Sequence, residues 1–96
     1  MNHSQSDLLQ LKNLGIATVN ILRAVGINSQ EDLARIGAVE TYNRIKARKI
    51  NVSKVMLYAL HGALHDVHWN DLKPELKQEL VALAEQSSDL GVKVLA

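Results

Sequence analysis

The chain has 96 residues, eleven Lys+Arg against ten Asp+Glu for a formal charge of +1, and 47% apolar residues. That is one domain's worth, with enough apolar content for a core and too little net charge for a protein held on nucleic acid by bulk electrostatics. Cysteine is absent and the aromatic residues are Tyr42, Tyr58 and Trp69, which excludes disulfides, Cys-ligated zinc, a thiol nucleophile and the aromatic platforms of single-strand binders.

The predicted elements follow in chain order. Leu8, Leu11 and Leu14 recur at a spacing of three, as do Val19, Leu22 and Val25, and then Leu33 and Ile36. Each stretch closes on one of three glycines, Gly15, Gly26 and Gly37, and glycine suits a helix end because positive φ costs it little. These spacings predict helices over about 6–14, 17–25 and 30–36, with another over about 38–48. Asn28 or Ser29 supplies a cap ahead of the acidic first-turn residues Glu31 and Asp32, where a helix dipole favours them. Ser53 is the N-cap expected for a helix over 53–66. That segment is apolar around most of its circumference, with one polar stripe of Lys54, Tyr58, His61 and His65, and it is expected at the centre of the fold. Pro74 fits the first turn of a last helix over about 74–86, with Leu76, Leu80 and Leu83 on one stripe and Glu75, Lys77, Glu79 and Glu85 off it. The tail, 87–96, alternates weakly and is either frayed or docked on a neighbour. The expectation is one all-α domain over 1–96, its core within about 7–86: short helices in a helix-hairpin-helix or SAM-like bundle. Met1–Gln10 lacks the pattern of a secretory signal, and the longest apolar run, Val55–Leu60, is far below the roughly 20 residues of a membrane span. A cytoplasmic protein without a membrane partner is expected.

Two turns have the shape of an anion site. In Leu11-Lys12-Asn13-Leu14-Gly15-Ile16-Ala17-Thr18 a helix end runs through Leu-Gly into the next helix. The first N–H groups of that helix lack intrahelical partners, and glycine leaves room for a phosphate beside them. Lys12 and Arg23 lie in a stretch, 8–30, without an acidic residue. The second turn, around Gly37 and Ala38, has the same shape but carries Glu40 in the following first turn, where a carboxylate competes with a phosphate. A backbone-phosphate contact and a purely structural turn both fit these patterns; strong DNA-binding hairpins carry a second glycine two positions on, and this chain has Ala17 and Val39 there. A basic run, Arg44, Lys46, Arg48, Lys49 and Lys54, falls in a second acid-free stretch, 41–65. It reads either as a phosphate-facing patch or as a solvated helix end favoured by the dipole. His61, His65 and His68 have metal-ligand spacing, but the glutamate that follows the first histidine of zinc-peptidase helices is Gly62 here. No metal, cofactor or catalytic triad is predicted.

The ordered set of pieces carries more than any one of them. Leu11-x-Asn13-Leu14-Gly15 precedes Leu22-x3-Gly26-Ile27-x-Ser29-x2-Asp32-Leu33-x3-Gly37-Ala38-Val39-x2-Tyr42; then come Leu57-Tyr58-Ala59-Leu60-x-Gly62-Ala63 and Trp69-x2-Leu72-x4-Lys77-x2-Leu80. Over roughly residues 10–84 this resembles the C-terminal domain of the TfoX/Sxy competence-regulator family. The resemblance implies a five-helix module of a bacterial regulator of DNA-uptake genes, with a DNA-binding role. It also implies either a standalone module or a fragment of a two-domain regulator. In that family the first glycine is often followed by Pro and a basic residue; Ile16-Ala17 stand there in this chain. The expected function is a non-enzymatic module with weak, mostly sequence-independent contact to the DNA phosphate backbone through Lys12, Gly15, Ile16, Ala17, Thr18, Arg23, Gly37, Ala38, Arg44, Lys46, Arg48 and Lys49. The alternative is a protein-interaction or self-association module without DNA affinity, docking through the apolar tail residues Leu90, Val92, Val94 and Leu95.

Overall fold

Leucines spaced three apart suit a 3-10 turn, whose period is three, as well as a helix, and the first leucine stretch takes that option. In the computed structural model, which describes the backbone of residues 7–95 and the side chains of residues 7–87, the predicted helix over 6–14 is a single 3-10 turn, Asp7–Gln10. Leu11 and Leu14 continue it with N–H donations three residues back, to Leu8 and Leu11. Leu8 and Leu14 are nonetheless buried. Five α-helices follow: α1 Ile16–Ala24, α2 Gln30–Ile36, α3 Ala38–Ala47, α4 Lys54–His65 and α5 Pro74–Leu95, with a second 3-10 turn, Trp69–Asp71, ahead of α5. The described residues contain no strand. The weakly alternating tail continues α5 as helix through Leu95; its docking through Leu90, Val92, Val94 and Leu95 lies outside the described side chains.

The caps explain the boundaries. The Ser29 hydroxyl accepts the Asp32 N–H, and the Asp32 carboxylate accepts the Asn28 N–H at 3.0 Å, so two backbone donors are satisfied at one helix start. The Asn28 N–H and then Arg35 hold the Asp32 carboxyl below its ordinary range. Asp7 reaches the same end of α2, accepting the Gln30 N–H while its carbonyl accepts the Gln30 side chain. Ser53 caps α4 by accepting the Val55 N–H. Helices α1, α3 and α4 end on a shared backbone motif. The N–H groups of Ile27, Ile50 and Val67 reach back to the carbonyls of Leu22, Ile45 and Gly62, across the left-handed residues Gly26, Lys49 and Asp66.

Only Gly37 separates α2 from α3. Its N–H donates to Leu33, its carbonyl accepts from Thr41, and its backbone sits at φ 88, ψ 162, a region that only glycine enters readily. Helices α3 and α4 form the centre. They pack on each other and on α5, α2 and α1 lie against α3, and the second 3-10 turn lies against α4. Leu8, Leu22, Ile27, Leu33, Ile45, Leu57 and Leu60 are fully buried, each removing about 1.5–3 kcal/mol of apolar exposure. The Thr41 hydroxyl is buried among them and has no hydrogen-bond partner among the described residues. Among the described residues, no helix is long and apolar enough to cross a membrane.

Candidate functional site

The basic run does not form one face. Arg44, in the last turn of α3, and Arg48, just past its end, line a groove of about 340 Å³ together with Ala24, Val25, Gly26 and Ala47. The Arg48 guanidinium donates to the Ala24 carbonyl at 2.9 Å, covering the carbonyl end of α1. Arg44 donates to Glu40 at 3.2 Å, the i,i+4 pair that α3 allows. Both arginines are exposed, and each guanidinium carries further N–H groups beyond the one in that bond. Small residues, Ala24, Gly26 and Ala47, form much of the groove between them. Arg23 occupies the last turn of α1, at this same end. Lys46 lies elsewhere. Its ammonium is 5.7 Å from the Tyr42 ring, and it shares a second groove with Lys54, Asn43 and Glu85. Lys49 follows α3 in the left-handed conformation.

The first sequence-predicted turn sits at the opposite end of α1. Ala24 is the ninth and last residue of α1 after Gly15, about 13 Å away at 1.5 Å per residue. Gly15 precedes α1 with φ −106, an extended conformation open to any residue, and no side chain caps the helix. The left-handed residue of this turn is instead Asn13, φ 72. Ile16 is 70% exposed, Gly15 and Ala17 are exposed, and the first turn carries no acid. Lys12 pairs with Asp66 at 3.6 Å on the surface; the acid-free stretch of sequence thus receives a carboxylate from the end of α4. Thr18 lines a shallow groove with Asn13, Ser53, Met56 and Trp69.

The second turn faces apolar surface. Gly37, Ala38 and Glu40 line a groove of about 480 Å³ with Leu64, Leu80 and Leu83. Ala38 is buried, so this turn does not offer the open helix start that the first one does. His61 and His65 line the same groove, with ring centroids 4.3 Å apart. Burial, and then the neighbouring His65, push His61 below the ordinary histidine range. His68 is not grouped with them: its Nδ1 accepts the Asn70 N–H at 3.1 Å, and its ring stacks on Trp69. Among the described residues no three His, Asp or Glu side chains gather as a metal site.

Two arrangements had no role assigned from the sequence. The Asn13 side chain donates to the carbonyls of Ala59 and Val67 and accepts the Trp69 N–H, so one amide ties the turn before α1 to the end of α4. The Lys77 ammonium lies 5.5 Å from the Tyr58 ring and 5.3 Å from the Trp69 ring, which binds α5 to α4 and to the second 3-10 turn. Asn13, Tyr58, Trp69 and Lys77 all stand in the ordered motif set. No local spacing signals either contact, because the partners lie far apart in the chain.

Fold and surface therefore define an all-helical module with shallow grooves, one flanked by arginines and one apolar. A family model for the TfoX C-terminal domain matches residues 4–84, and the chain belongs to that regulatory-type family. Among solved structures, an uncharacterized protein from Listeria monocytogenes in a triclinic crystal form aligns with a TM-score of 0.75 and 30% identity, covering 84% of this chain and 92% of that one. A Listeria monocytogenes protein of unknown function in a tetragonal form aligns with a TM-score of 0.73 and 32% identity, covering 82% of this chain and 96% of that one. A search of curated proteins returned no significant match.

Proposed function

We propose that the chain is a non-enzymatic regulatory module of bacterial DNA-uptake control, acting in the cytoplasm by holding DNA weakly through its phosphates. The observation that carries this reading is the groove between Arg44 and Arg48. Guanidinium groups bind phosphate oxygens in a bidentate geometry, and a groove with small residues between two of them leaves room for the anion. The open first turn of α1, at Gly15, Ile16, Ala17 and Thr18, is a second contact, with Lys12 and Arg23 adding charge at the two ends of the helix. Lys46 and Lys49 add to the field without joining the groove. Gly37 and Ala38 drop out of the reading, because Ala38 is buried and Glu40 shares that first turn. Membership of the TfoX C-terminal family supports a regulatory role. Contacts of this kind read the backbone and not the bases.

The test is a fluorescence-anisotropy titration of a labelled duplex at low salt. Two to four engaged phosphates give a slope of log K against log salt of about −2 to −4. The pair Arg44→Gln and Arg48→Gln should remove about two units of that slope. Absence of binding, or binding that ignores both salt and the double variant, contradicts the reading. A second reading, a protein-docking module without DNA affinity, is favoured by the apolar groove beside Gly37.

A further inference from the structure

Helix α5 has an apolar spacing longer than its seat on the domain. Leu76, Leu80, Leu83, Ser87, Leu90 and Val94 follow one another at steps of four and three, the heptad spacing of a helix that pairs with another helix. The backbone of α5 is helical over that whole length, Pro74–Leu95. The start of the stripe is satisfied within the domain: Leu76 is half-buried against the core and Leu80 is buried. Leu83 is 42% exposed and Ser87 is exposed. Both line the apolar groove with Val39, Leu64 and Leu80. A groove of this shape and lining suits an amphipathic helix.

We infer that the occupant of this groove is the second half of α5 from another copy of the chain, running antiparallel. Two antiparallel α5 helices that cross level with Glu85 bring the position of Leu83 opposite that of Ser87 in the partner, and the position of Leu80, on the groove wall, opposite that of Leu90. A two-fold axis repeats both pairings, so one patch completes itself on each subunit. Charge selects this direction. Glu79 and Lys93 both precede an apolar position of the stripe, Leu80 and Val94, which makes them flanking positions of the same type. Such positions face each other across an antiparallel pair. That register sets Glu79 near the partner's Lys93, twice per dimer, with opposite sign. The inference does not depend on DNA binding, because the arginine groove is lined by α1, α3 and the turn between α1 and α2.

Sedimentation equilibrium of the full chain over a wide concentration range tests it. The wild-type chain should show a monomer–dimer equilibrium. Leu83→Glu, at an exposed position, and Leu90→Lys should each weaken it at least tenfold. Val55→Glu, a comparably exposed apolar position at the start of α4 and outside the groove lining, should leave it unchanged. Glu79→Lys and Lys93→Glu should each weaken the dimer several-fold, and the two together should restore it. Circular dichroism confirms that each variant keeps its helix content. A wild-type monomer at every concentration, a dimer indifferent to Leu83→Glu, or a charge swap that fails to restore association would overturn the inference.

Discussion

The Asn13 side chain and Gly62 share a single close approach: a Cβ built on Gly62 would stand 2.6 Å from the Asn13 amide nitrogen and closer still to the Val67 carbonyl oxygen. The carbonyl is the one that Asn13 itself binds, at 3.0 Å. Glycine at position 62 thus lets the end of α4 fold back closely enough for the turn before α1 to be fastened to it.

Substitution at either residue should cost stability, by separable routes. Gly62→Ala forces the Val67 backbone to shift and should destabilise by about 1–3 kcal/mol. Asn13→Ala leaves two carbonyls and one N–H without their partner and places alanine in the left-handed region, for about 2–4 kcal/mol. The double variant removes the Asn13 clash but keeps the Val67 clash, so its loss should be smaller than the sum of the singles. Urea unfolding midpoints of the three variants measure this coupling.

Lys77 is expected to report on the fit of α5. Replacing it with Met keeps most of the apolar stem and removes the ammonium from between Tyr58 and Trp69. The loss should be about 0.5–1 kcal/mol. Trp69 is the only tryptophan, so its emission spectrum reads the change of environment directly. Unchanged stability with an unchanged spectrum would mean that the ammonium contributes nothing there.

His61 gives the fold an acid-sensitive contribution. Its folded pKa lies below the ordinary value of 6.5, chiefly through burial, so the unfolded chain takes up the proton first. Stability from this group is complete above about pH 6.5 and is lost as pH falls through the lowered folded value. Besides His65 on its own helix, Glu40 of α3 lines the same groove. Denaturant midpoints between pH 7.5 and 5 should fall for the wild-type chain and fall less for His61→Gln. Parallel curves for the two proteins would contradict this account.

Much of the architecture was legible in local sequence because its causes are local. Ser29 and Ser53 cap helices that begin where their hydroxyls can reach the first N–H groups, and Gly37 links two helices in a conformation that demands glycine. Val19, Leu22 and Val25 are buried at the spacing that predicted α1. The first leucine stretch misled because a period of three does not separate a 3-10 turn from a short helix, and Asn13 took the left-handed conformation expected of Gly15. The candidate site was legible only as a set of residue types. Arg44 and Lys46 are two apart on α3, so they face different helices; the partners of Lys12 and Arg48, Asp66 and Ala24, lie 54 and 24 positions away in the chain. Asn13 and Trp69 were visible in the motif, but their bond spans 56 positions.

The central claim, that phosphate is held between Arg44 and Arg48, is tested most directly by a nitrogen-15 NMR titration of the chain with a short duplex at low salt. The account predicts salt-reversible shifts concentrated at Arg23–Gly26 and Arg44–Lys49, with a smaller set at Gly15–Thr18. Shifts confined to Gly37–Glu40, His61 and Leu83, or no shifts at all, would contradict it.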